Sequence, residues 1–119
     1  MSGVLIPMPK KSVFKSVKPP LEVAKEAKRG LELRKQYKRG GTEIGVWRAE
    51  NLVKRTPLDI GELKRIRSYF ARHEVDKRGK DWNNRERPSA GYIAWLLWGG
   101  EPGRAWAERE LKNAANRRV

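Results

Sequence analysis

The chain has no cysteine and a single histidine, His73. The first absence excludes a disulfide framework, a thiol nucleophile, an iron–sulfur cluster and any thiolate-held zinc. The second excludes sites built from several imidazoles. Long apolar runs are also missing. The longest, Tyr92 to Trp98, has seven residues, against the roughly 20 needed to span a bilayer. Met1-Ser2-Gly3-Val4-Leu5-Ile6-Pro7 has no charged start and no long apolar stretch, so a secretory signal is not expected. No segment alternates with period two, which argues against a sheet. Acidic residues are scarce: 14 Asp+Glu stand against 28 Lys+Arg, a net charge of +14 on 119 residues.

Such an excess of one sign is a statement about partners. Unpaired cations repel one another and destabilise a compact state unless something negative binds them. Nucleic acid is the commonest such partner, because each neutralised phosphate releases a counterion. An acidic protein or virion surface is a second candidate, and a solvated basic face that serves solubility alone is the third.

The expected architecture is all-α: a compact bundle of four or five short helices with an extended basic N-terminal arm. Residues 1–19 form the arm, 20–112 the helical domain and 113–119 a basic, frayed C-terminus. The arm holds Lys10, Lys11, Lys15 and Lys18 and no acid. Pro7, Pro9 and Pro19, with Pro20 directly after, and the lack of a 3.6-residue period make it extended. Its Val4-Leu5-Ile6 patch is placed to dock on the domain or on a neighbouring subunit. A first helix runs from Pro20 to the Gly40-Gly41 stop, with Val23, Ala27 and Leu31 on one stripe and Gly30 marking a kink or a close helix contact. A second, capped by Thr42, runs to about Arg55 with Ile44, Trp47 and Leu52 turned inward. Asp59 and Glu62 form a capping box for a third, ending near His73-Glu74. Val75–Pro88 reads as a polar loop. Ser89 caps a fourth helix that is apolar nearly all round and therefore central. Glu101-Pro102 opens a fifth, packed through Ala105, Trp106, Leu111 and Ala114.

No residues point to catalysis. His73 beside Glu74 has no paired nucleophile and no metal motif, so neither catalytic residues nor metal ligands nor cofactors are expected. The cations carry the reading. Lys38-Arg39-Gly40-Gly41-Thr42 places two of them before a helix N-terminus, where exposed N–H groups favour an anion. The same residues also make sense as one helix stop followed by the next helix start. The spacing of a phosphate-binding P-loop is absent. Lys64, Arg65, Arg67 and Arg72 populate the outer surface of the third helix, suited to phosphate contacts. The connector before it is too long, and contains Pro57, for a helix-turn-helix. Lys77, Arg78 and Lys80 add charge in the following loop. There Trp82 either stacks on an exposed base or closes over the core. Trp95, Trp98, Trp106 and Trp47 are expected in the core.

Four blocks also carry a resemblance. Arg29-Gly30-Leu31-Glu32-Leu33, Arg39-Gly40-Gly41-Thr42, Ser68 through Lys77 and, most specifically, Pro88-Ser89-Ala90-Gly91-Tyr92-Ile93-Ala94-Trp95-Leu96-Leu97-Trp98-Gly99-Gly100 resemble a small module of tailed-bacteriophage proteins. That module occurs alone or attached to head-assembly polypeptides. The resemblance spans roughly residues 24–107, and Trp47 stands where the pattern has a small residue. It implies a phage origin and no catalytic residues. It implies either a non-enzymatic nucleic-acid-binding protein, contacting mainly DNA phosphates, or a virion component such as a minor capsid, cement or internal head protein. The expected location is the host cytoplasm or the virion. A small inhibitor of an acidic host protein is a third reading, in which charge steers association.

Overall fold

A computed structural model describes residues 15–117. Lys10, Lys11 and the Val4-Leu5-Ile6 patch lie outside them. Among the described residues five α-helices follow one another: α1 Leu21–Tyr37, α2 Glu43–Val53, α3 Ile60–His73, α4 Ala90–Leu97 and α5 Gly100–Arg117. A 3-10 helix, Glu74–Arg78, occupies the start of the segment read as loop.

The helix starts are set by side-chain caps. The Gly45 N–H donates to Thr42 Oγ1 (3.2 Å), the Glu62 N–H to Asp59 Oδ1 (2.9 Å) and the Tyr92 N–H to Ser89 Oγ (3.0 Å). Each satisfies a donor that the first turn leaves free. The expected capping box is only half made, because the Glu62 carboxylate turns to Arg48 and Arg65 instead. α1 stops before Gly40-Gly41 as expected, with Lys38 in the left-handed region (φ 54°) and its N–H donating to Arg34 O at 2.7 Å. Gly40 and Gly41 continue the turn at φ 99° and 79°. A Cβ on Gly40 would lie 2.6 Å from that of Ile93, so glycine lets this turn close onto α4.

α1 packs against α2, α4 and α5, and α3 against α5. The core gathers Val23 and Ala27 of α1, Leu52 of α2, Leu63, Ile66 and Phe70 of α3, Trp95 and Leu97 of α4, and Trp106 of α5. At roughly 1.5–3 kcal/mol for each large side chain removed from water, this core outweighs surface ion pairs worth about 0–1 kcal/mol each. α4 is central as expected, with Ile93, Trp95, Leu96 and Leu97 buried.

Four expectations are corrected. α2 does not turn Ile44 and Trp47 inward: they are 66% and 51% exposed, while Gly45, Ala49 and Leu52 face the core. The small residues win because α2 lies close against its neighbours, and a Cβ on Gly45 would already touch Trp98 and Leu97. Ala105 is exposed, and Ala107 takes its place inside. At the N-terminal side, Val17 makes an antiparallel bridge with Leu58 (2.9 and 2.8 Å), and Arg55 Nε donates to Pro19 O at 2.7 Å. Pro19 is fully buried. Residues 17–19 thus belong to the domain rather than to an arm. α5 continues to Arg117 with Ala114 buried, past the boundary expected at residue 112.

Candidate nucleic-acid interface

α3 has two faces because 3.6 residues make a turn. Leu63, Ile66 and Phe70 point inward; Lys64, Ser68 and Arg72, four residues apart, form a row on the outside. With Arg65 and the Trp98 side chain they line a depression of about 370 Å³. At the end of α1, Arg34, Lys35, Lys38 and Arg39 surround the Gly40-Gly41 turn and a second depression of about 470 Å³. Arg34 Nε donates to Gly40 O at 2.8 Å, which holds the turn closed.

A cleft of about 460 Å³ lies between the two, with Thr42 and Ile44 on one side, His73 and Asp76 on the other, and Ala94 and Trp98 at α4. Gly41 belongs to this cleft and to the α1 turn. Arg72 and Trp98 belong to it and to the α3 depression. The three form one continuous band, cationic at both ends and largely apolar in the middle.

Behind the cleft runs a series of stacked groups. His73 lies on Tyr69 (centroids 4.4 Å apart), and Tyr69 lies parallel to Trp98 (4.6 Å, 4°). The Arg48 guanidinium lies over Trp98 at 5.3 Å and over Trp47 at 5.1 Å. Arg48 is 2% exposed, and its Nη2 donates to Glu62 Oε1. His73 Nδ1 pairs with Asp76 Oδ2 at 3.0 Å and not with its neighbour Glu74. Burial of the Tyr69 phenol raises its pKa, the Asp76 charge adds to the rise, and Arg72 opposes it weakly. The phenol stays neutral, and its hydroxyl is buried without a hydrogen-bond partner.

Of the cations singled out from sequence, Lys38, Arg39, Lys64, Arg65 and Arg72 come together on this band. Thr42 joins them at the cleft, although its hydroxyl also caps α2. Among the described residues Lys38, Arg39, Lys64 and Arg72 have no carboxylate within ion-pair distance, whereas Arg65 has Glu62 at 3.3 Å. Arg67, Arg78, Lys80, Lys15 and Lys18 are exposed but line none of the three depressions. Lys77 is turned elsewhere, to Glu101 (2.7 Å), Glu74 (3.6 Å) and the Trp95 ring (4.8 Å). Trp82 packs edge-on against Tyr92 and Trp95 (5.2 and 5.4 Å), closing over the core. The sequence reading missed Arg34, Lys35, Arg48 and Tyr69. The first two were visible as i, i+4 partners of Lys38 and Arg39 on the last turns of α1. Arg48 had no such signal, since an isolated arginine is ordinarily exposed.

Among the described residues no group of three His, Asp or Glu gathers to hold a metal ion, and no helix is long and apolar enough to cross a membrane. Compared with protein-family models, curated proteins and solved structures, the chain matches none of them.

Proposed function

We propose that this protein binds nucleic acid, DNA in the first place, mainly through backbone phosphates with little sequence preference, and that it does so without catalysis. The observation that carries this is the continuous band on which Lys38, Arg39, Lys64 and Arg72 lie free of their own carboxylates. Clustered, uncompensated cations are a phosphate footprint. The resemblance to a tailed-phage module supports a setting in the host cytoplasm or the virion. The test is an electrophoretic shift on duplex DNA across salt. Each phosphate contact contributes about −0.9 to the log–log slope, so Lys64→Ala combined with Arg72→Ala is expected to reduce the slope by about 2. A titration that is flat between low and moderate salt overturns the reading. A second reading, a virion component docked on a neighbouring subunit, is favoured by the exposed Ile44 and Trp47 on the outer side of α2. It requires stoichiometric copies in purified particles and no DNA affinity at moderate salt.

A further inference from the structure

We infer that the cleft between α2, α3 and α4 receives one unstacked nucleobase, so that single-stranded nucleic acid is the preferred partner; this deepens the phosphate-binding reading and rests on it. A duplex keeps its base faces stacked, and a bundle that met only duplex phosphates would need nothing but cations. Here the cations flank a cleft that is mostly apolar. Its volume of about 460 Å³ lies within the range of small-molecule clefts. Ile44, Ala94 and Trp98 supply the apolar walls, and the His73–Asp76 pair and Thr42 supply polar atoms at the sides. The Tyr69 hydroxyl, on a residue 4% exposed that lines the cleft, has no partner of its own.

The charge arrangement fits this occupant. A strand that drops one base into the cleft carries a phosphate away from it on either side. Gly41 leads from the cleft to Lys38 and Arg39, and Arg72 leads to Lys64. Both flanking phosphates therefore meet cations, while the base removes the apolar walls from water. The cleft does not depend on a mobile wall, because His73, Tyr69, Trp98 and Arg48 are stacked on one another behind it.

The test compares three labelled probes by fluorescence anisotropy on the full chain: an oligothymidylate strand, an abasic strand with the same number of phosphates, and a duplex of the same length. The thymidylate strand is expected to bind about tenfold tighter than the abasic strand, because only it carries a base that can cover the apolar walls. Ile44→Ser alters an exposed side chain and is expected to abolish that ratio, whereas Lys64→Ala with Arg65→Ala weakens all three probes alike. Equal, salt-sensitive affinity for thymidylate and abasic strands overturns the inference and leaves the phosphate reading standing. An unchanged ratio in Ile44→Ser overturns the assignment to this cleft. Failure of all three probes to bind at low salt overturns the phosphate reading and the inference with it.

Discussion

Arg48 shows how one residue couples the core to the surface. Its guanidinium is buried, with Nε and Nη1 lacking hydrogen-bond partners, and it depends on Glu62 for charge compensation and on Trp47 and Trp98 for packing. Removing one member of a buried pair leaves a stranded charge and costs 3–5 kcal/mol when both are fully buried, whereas an apolar replacement of the whole pair is often neutral. Glu62 is 26% exposed, so Glu62→Ala is expected to lose about 2 kcal/mol in urea unfolding, below that range. Combining it with Arg48→Met is expected to recover most of the loss. Tyr69 makes a pH prediction. Its folded pKa lies above the ordinary 10.0, so the folded state holds the proton more tightly than the unfolded one. The associated stability is complete below pH 10 and declines as pH rises above it. Tyr69→Phe is expected to keep its stability above pH 10 where the parent loses it, as read by unfolding midpoints from pH 8 to 11.

Among the elements, α1 and α4 meet closely at Gly30. A Cβ there would lie 2.8 Å from Leu97 N and 3.0 Å from Leu96 C, both backbone atoms that cannot step aside. Gly30→Ala gains about 1 kcal/mol of helix propensity but incurs overpacking of about 1–3 kcal/mol. The net expectation is a loss of about 1 kcal/mol, the reverse of an ordinary mid-helix substitution, read as a lowered melting temperature. The helices themselves were legible in the sequence. Thr42, Asp59 and Ser89 announce their caps, and the apolar stripe of α3 announces its inner face. The inner face of α2 was not legible. Hydropathy favours Ile44 and Trp47, but the packing turns Gly45, Ala49 and Leu52 inward, with Gly45 lying against Trp98 and Leu97.

At the scale of the molecule, charge is divided between two regions. Glu74 ties Arg104 and Lys77 together, with Glu101 and Glu108 beside them, while the band across the α1 turn and α3 keeps its cations largely free. Desolvation alone would raise the Glu74 pKa, but hydrogen bonding and charge from Arg104, then Lys77, outweigh it and lower it. A lowered carboxylate pKa stabilises the fold above its ordinary value of 4.5 and ceases to do so as pH falls through the folded value. Glu74→Gln is therefore expected to be less stable near neutrality and to show a shallower acid limb, measured by unfolding between pH 6 and pH 3. Arg104 stays charged throughout. Desolvation opposes its charge, and Glu74, Glu101 and Glu108 together more than compensate.

The sequence alone determined the helical class, the positions of the caps and the surplus of positive charge, since these depend on local backbone chemistry and on composition. It marked the α1 turn and the outer row of α3 as cationic, because i, i+4 spacing is a local property. Tertiary structure decided which cations share a surface and which, like Lys77, are consumed by internal ion pairs. It also decided that a cleft lies between them. A cleft forms from residues such as Thr42, His73 and Ala94 that are distant in the chain, and only helix packing brings them together.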